Sequence, residues 1–208
     1  MLDLGCGCGV IAAMIAMMRR PRAIVGIELQ PELVELARYN AALNQLANMS
    51  VIVGNLRDRK IPGVDAGTFD YIVANPPYRA ARNGRESPHL GRRIARGGGG
   101  ASLRDFIKAA ARYATSSGKV AMIFTASRTA ELIAELKTYA LEPKRMRLVH
   151  PYADAVASVV MVEARKGGGV EVTIEAPLVL WKRPGDYSAE ARSLLNGDEA
   201  SAVAITPR

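Results

Sequence analysis

An open, doubly wound and mainly parallel α/β sheet is the expected architecture, and three observations carry it. Short apolar runs of strand length alternate with segments of helical periodicity along most of the 208 residues. Proline and capping residues stand where those helices should begin. A run of alternating glycines, Asp3-Leu4-Gly5-Cys6-Gly7-Cys8-Gly9, joins the first strand to the first helix. Such alternation places helices on both faces of a parallel sheet through right-handed crossovers.

Residues 1–4 read as the stump of a strand, and Val10, Ile11, Met14, Ile15 and Met18 recur after it at helical spacing. Residues 23–27 form a short buried strand that ends at Glu28. Pro31 then suits the first helical position, with Leu33, Leu36 and Ala37 as the buried face. Val51-Ile52-Val53 is a third strand closing near Asn55, and residues 69–74 are a fourth closing at Asn75. Ser102-Leu103-Arg104-Asp105 matches a capping box ahead of Ile107, Ala110, Ala111 and Ala114. Residues 120–125 are a fifth strand, followed by a helix carrying Leu132, Ile133 and Leu136. Residues 147–149 and 158–162 read as two late strands around a turn at Pro151-Tyr152-Ala153-Asp154.

Two segments break the alternation. Residues 79–102 hold Asn83-Gly84, Pro88 and the glycines at 97–100, and read as a loop. Residues 170–181 alternate apolar residues but contain Pro177, which suits an edge strand or an extended arm. The chain therefore divides into a main domain over residues 1–166 and a C-terminal extension over residues 167–208.

A chain that is 49% hydrophobic and 23% charged can bury a sizeable core, and no apolar stretch reaches membrane-spanning length. No membrane association is expected. Cys6 and Cys8 are the only cysteines. They stand too close together for an unstrained disulfide and are too few for a thiolate zinc site, so they read as small residues beside a tight turn. No metal site is expected, and the setting is a reducing, cytoplasmic one. The net charge of +8 is unevenly spread. Between residues 79 and 96 lie Arg79, Arg82, Arg85, Arg92, Arg93 and Arg96 against one acid, Glu86, a net of +5. That placement points to a polyanionic partner.

The chemistry concentrates at two places. In the first, Gly5, Gly7 and Gly9 permit close backbone approach to a ligand. Glu28, at the next strand end, can accept hydrogen bonds from both hydroxyls of a ribose. Gly7-x-Gly9-x-x-Ala12 also satisfies a dinucleotide fingerprint, with an acid at roughly the right distance. Asp3 favours a different ligand: its carboxylate would repel a pyrophosphate but can help anchor the cationic amino-acid end of S-adenosylmethionine. Asn55, after the third strand, can contact an adenine amino group or serve only as a polar turn residue.

The second place is Asn75-Pro76-Pro77-Tyr78. Ligands of open sheets bind outside the carboxyl ends of the strands where strand order reverses, so strands one and four would bring the two motifs into one crevice. The Asn75 side-chain oxygen and the Pro76 carbonyl can both accept from a planar NH2, drawing its lone pair out of conjugation. Pro76 and Pro77 fix φ and supply no N–H, so the turn presents acceptors in one geometry. Tyr78 can stack on a base. Methyl transfer to such a nitrogen needs alignment rather than a general base, which agrees with a chain that has only His89 and His150.

Asp-x-Gly-x-Gly-x-Gly with Asn-Pro-Pro-Tyr resembles the signature of class I methyltransferases acting on exocyclic adenine nitrogen or on a glutamine amide. The stretches Ile94-Ala95-Arg96, Leu141-Glu142-Pro143-Lys144-Arg145-Met146-Arg147-Leu148-Val149-His150-Pro151 and Glu175-Ala176-Pro177-Leu178-Val179-Leu180 look like the bacterial tRNA(Val) adenosine N6-methyltransferase family. The resemblance implies a Rossmann-like, seven-stranded sheet with an antiparallel last strand. It also implies S-adenosylmethionine as donor and tRNA next to the anticodon as acceptor; a monomer or weak homodimer is expected. The expected site residues are Asp3, Gly5, Gly7, Gly9, Glu28 and Asn55 for the donor, Asn75 to Tyr78 for the acceptor and, from the placement of charge, the six arginines for RNA.

The chain departs from the family in three ways. Met1 abuts the glycine motif where the family has several dozen residues, so a fragment or a misassigned start is expected. Asn55 replaces an acid, and Gly97-Gly98 replaces a His-Glu pair. Two rivals remain: a release-factor glutamine N5-methyltransferase, which uses the same four acceptor residues, and a truncated, non-catalytic RNA-binding module.

Overall fold

The computed structural model describes residues 1–78 and 100–197. Among them, β1 (Leu2–Leu4), β2 (Ile24–Glu28), β3 (Met49–Val53), β4 (Phe69–Ala74), β5 (Ala114–Thr125), β6 (Leu141–His150) and β7 (Val159–Lys166) lie in the order β3-β2-β1-β4-β5-β7-β6. β1 pairs with β2 and β4, and β2 with β3 and β4 with β5, all in parallel. β7 enters antiparallel between β5 and β6. The seven expected strands form with β7 antiparallel, two further short strands extend the sheet to nine, and strand order reverses between β1 and β4.

Helices α1 (Val10–Arg19) and α2 (Pro31–Leu43) cross between the first three strands. Helices α3 (Leu103–Tyr113) and α4 (Thr129–Thr138) follow β4 and β5. Two apolar clusters result. One joins Ala12, Ala13 and Ala16 to Ile24, Val34, Ala37 and Val51. The larger one packs Phe106, Ile107 and Tyr113 with Leu132 and Leu136 against Leu2, Leu4, Ile72, Val120 and Phe124.

Pro31 opens α2, where its missing N–H costs nothing. The Ser102 hydroxyl accepts from the Asp105 N–H while the Asp105 carboxylate accepts from the Ser102 N–H, so the capping box forms. Three expectations need correction. The buried face of α1 is Ala12, Ala13 and Ala16, while Val10, Met14 and Met18 are exposed. On α2 the buried residues are Val34, Ala37 and Ala41, and Leu36 faces out. Ala114 leaves the helix and opens β5, with ψ at 138°.

The late strands run longer than expected. Pro143 sits inside β6 beside a register shift, the position at which a sheet tolerates proline. Beyond residue 166, β8 (Thr173–Ile174) and β9 (Leu178–Val179) add in parallel to β6, on either side of Pro177. A hairpin of β10 (Trp181–Arg183) and β11 (Asp186–Tyr187) stacks Trp181 on Tyr187 at 4.0 Å, and α5 (Ala189–Asn196) closes the described chain.

Candidate functional site

A crevice of ≈210 Å³ opens at the carboxyl ends of β1 to β4. Gly5, Gly7 and Glu28 line it from one side, and Asn75 and Pro77 from another. Asn55 and Phe106 complete the wall with Gly100 and Ala101. The two motifs separated by some seventy residues in sequence thus share one space, because β1 and β4 are hydrogen-bonded neighbours.

The three glycines do different things. All have positive φ, at +67°, +56° and +79° for Gly5, Gly7 and Gly9. A Cβ at Gly9 would lie 2.7 Å from Met49 Cε and 3.0 Å from Ala37 Cβ, so that glycine serves helix packing. A Cβ at Gly5 would strike the Phe106 ring at 2.8 Å. Gly7 meets nothing within 4 Å and lines the open crevice, which makes it the point of backbone access.

Glu28 is already committed to the backbone. Its carboxylate accepts from the N–H groups of Gly7 at 2.9 Å, Leu29 at 2.8 Å and Gln30 at 3.1 Å. A carboxylate has about four acceptor positions, so room remains for a ligand hydroxyl. The Gly7 bond shows that Glu28 also ties the glycine loop to β2.

Asp3 is 1% exposed and is not part of the crevice lining. Burial, only partly offset by the Ala12 backbone N–H and reinforced by the Glu28 charge, pushes its carboxyl up to about 7. Its Oδ2 has no hydrogen-bond partner. An orphaned, buried carboxylate oxygen calls for a cationic donor.

The side-chain oxygen of Asn55 accepts from the Arg57 N–H at 3.0 Å, which closes a local turn. Asn75 is exposed at the crevice, Pro76 is buried and Tyr78 is 41% exposed. Burial raises the Tyr78 phenol above its usual range against an opposing hydrogen bond with the Asn75 side chain. The Tyr78 ring stands edge-on to Phe124, with centroids 6.3 Å apart.

Arg79, Arg82, Arg85, Arg92, Arg93 and Arg96 lie outside the described residues. Phe106, Gly100 and Ala101 were not anticipated as wall residues. Phe106 belongs to the apolar core cluster on α3, and its ring also closes over Gly5. Cys6 and Cys8 are free thiols, with Cys6 buried and pushed well above its ordinary range by that burial. A larger groove of ≈370 Å³, lined by residues such as Ile11, Tyr71 and Met161, contains none of the predicted site residues.

A doubly wound sheet with a glycine-loop crevice at its switch point and an Asn-Pro-Pro-Tyr turn facing it has the architecture of the Rossmann-like methyltransferases. A crystal structure of a predicted O-methyltransferase from Agrobacterium tumefaciens superposes with a TM-score of 0.73 at 24% identity, covering 94% of this chain and 88% of the other. The chain belongs to the methyltransferase small domain family, whose model matches residues 1–139.

Among curated relatives, a tRNA1(Val) (adenine(37)-N6)-methyltransferase of Porphyromonas gingivalis is 34% identical over 148 residues, 70% of this chain and 57% of the relative. A release factor glutamine methyltransferase of Vibrio cholerae is 41% identical over 90 residues, 43% of this chain and 29% of the relative. The chain thus spans 57% of the length of the first relative and 29% of the second.

Proposed function

We propose that the protein transfers a methyl group from S-adenosylmethionine to the exocyclic N6 of an adenosine in tRNA, next to the anticodon. The observation that carries this reading is the single crevice lined by Gly5, Gly7 and Glu28 together with Asn75 and Pro77. S-Adenosylmethionine bound there supplies a methyl carbon on a sulfonium, a strong electrophile that needs no metal or general base for the transfer.

The residues fit that donor. The spare acceptor capacity of Glu28 suits its ribose hydroxyls, and an ammonium that reached past the lining to the orphaned Oδ2 of Asp3 would find an anionic partner there. Gly7 leaves the backbone open to its methionyl chain. With the Asn55 oxygen engaged at Arg57, the Asn55 amide NH2 suits a ring nitrogen of the adenine.

On the acceptor side, the Asn75 oxygen and the Pro76 carbonyl would accept from the two N–H groups of the target amine. That pyramidalises the nitrogen and aims its lone pair at the methyl carbon. The C–S bond breaks as the N–C bond forms, and the surplus proton leaves the product nitrogen to water. Tyr78, held by Asn75 and Phe124, would offer its face to the flipped base.

The tRNA reading is preferred to the glutamine one because the similarity extends over 70% and 90% of this chain for two tRNA enzymes, against 43% and 56% for two release-factor enzymes. The six arginines between residues 79 and 96 also favour a polyanion, and tRNA as substrate implies work in the cytoplasm. The test is nucleoside mass spectrometry of tRNA from cells with and without the gene. Loss of N6-methyladenosine from one tRNA is expected, and an unchanged nucleoside profile would refute the assignment.

A further inference from the structure

We infer that Arg57 and Arg128 are positioning residues, each acting through one main-chain carbonyl, Arg57 on the donor wall of the crevice and Arg128 on the end of the acceptor turn beside it. The inference rests on the function proposed above and adds a division of labour to it.

Arg57 stands two residues past Asn55. Its Nη2 donates to the Gly100 carbonyl, and its Nε lies 3.4 Å from Asp105 Oδ2. Its own backbone N–H donates to Asn55 Oδ1. One residue thereby joins the loop after β3 to the segment that enters α3. Asn55, Gly100, Ala101 and Phe106 all line the crevice, so the wall around the donor is held together at Arg57. Asp105 is fixed in turn: it accepts from the Ser102 N–H and hydroxyl, both at 2.8 Å. Burial opposes its ionisation, but these bonds and the Arg57 guanidinium hold its carboxyl below the usual range.

Arg128 follows β5 and repeats the arrangement on the acceptor side. Its Nη1 donates to the Tyr78 carbonyl at 3.2 Å, and its guanidinium lies 4.8 Å from the centre of the Phe124 ring. Tyr78 packs edge-on against that same ring. The backbone and the ring of Tyr78 are therefore both referred to the end of β5, a fixed part of the core. Glu131 accepts from Arg128 Nε at 2.7 Å.

Each guanidinium is already matched by a carboxylate, Asp105 or Glu131. That pairing cancels most of its attraction for a phosphate and points to orientation rather than anion binding. The pairs are substantially exposed, so their loss should barely change overall stability. What changes is the precision of the wall or turn each one supports, where small displacements are costly to transfer.

The experiment measures S-adenosylmethionine affinity by calorimetry and tRNA methylation kinetics for the parent, Arg57→Ala and Arg128→Ala, with thermal unfolding as the fold control. Arg57→Ala should weaken the donor by about three- to tenfold, the effect of losing one or two hydrogen-bonded supports, with kcat at saturating donor near the parent value. Arg128→Ala should leave the donor Kd unchanged and lower kcat, or raise KM for tRNA, by a similar factor. Arg57→Lys and Arg128→Lys keep the charge but lose the fork, and each should recover only part of its own parameter. They replace the alanine variants if those unfold.

Two variants that shift the same parameter, or that shift neither, overturn the inference while donor binding and turnover by the parent keep the proposed function standing. A parent that binds no S-adenosylmethionine removes both.

Discussion

Asp3 shows how one residue carries a testable function. Its carboxyl titrates at about 7 because burial disfavours its charge, and the Ala12 N–H offsets this only in part. A cationic ammonium at the orphaned Oδ2 would favour the ionised form, so donor binding should release a proton below pH 7. Affinity for S-adenosylmethionine should therefore rise from pH 6 through about pH 7 and fall again above about pH 8, where the donor's own α-amino group loses its proton. Calorimetry in buffers of different ionisation heat reads both the affinity and the proton. In Asp3→Asn the rising limb should vanish along with most of the affinity.

The same shift has a stability consequence of opposite sense. The folded pKa lies above the unfolded value of 3.8, so the stabilisation from a neutral Asp3 is complete below pH 4 and is lost as pH rises to about 7. A shift of that size corresponds to on the order of 4 kcal/mol. Asp3→Asn should then be more stable than the parent at pH 8 and lose that advantage near pH 4, as urea unfolding at the two pH values would show. Asn75 sits at the other wall and should behave differently. Asn75→Ala is expected to lower kcat by about tenfold or more while the donor Kd moves little, since its hydrogen bond strengthens only as the nitrogen reacts. Full turnover in that variant would remove Asn75 from the mechanism.

At the level of elements, the glycine loop separates packing from access. Gly7→Ala should cost about 1–2 kcal/mol of stability for a left-handed alanine and reduce donor affinity, because its Cβ would enter the crevice. Gly9→Ala meets the same backbone penalty and also drives a methyl into Met49 and Ala37, so it should lose more stability. Denaturant midpoints read beside donor titrations distinguish the two.

The carboxyl ends of the first five strands, the proline at the start of α2 and the Ser102–Asp105 box were legible because each is fixed by local chemistry. The buried face of α1 was not. Its sequence, VIAAMIAMMR, is apolar all round, so periodicity selects no side. Close approach to α2 past Gly9 selects the alanines instead, leaving Met14, Met17 and Met18 outside. Arg57 and Arg128 were equally hidden, because what they hold are backbone carbonyls 43 and 50 residues away in sequence.

At the scale of the whole molecule, charge and sheet topology point to the same edge. Asn75 and Tyr78 lie at the carboxyl end of β4, and the next residues in sequence carry a net +5 of the chain's total of +8. A polyanion drawn to residues 79–96 would therefore be delivered beside the acceptor turn. Arginines that neutralise phosphates hold register without reading sequence, and they release counterions. Neutralising Arg92, Arg93 and Arg96 together should weaken tRNA binding and flatten the dependence of log Kd on log salt by about 0.7–0.9 for each phosphate that is no longer paired. Donor affinity should stay at the parent value, since Glu28, Gly7 and Asp3 are untouched. Filter binding across a salt series measures the slope. A triple variant with the parent's slope would move the RNA surface away from this segment, with Lys144, Arg145 and Arg147 on β6 as the next basic cluster to test. Of these, Arg145 and Arg147 are already paired with Glu175 and Glu190, which leaves them less charge to offer than the six arginines are expected to bring.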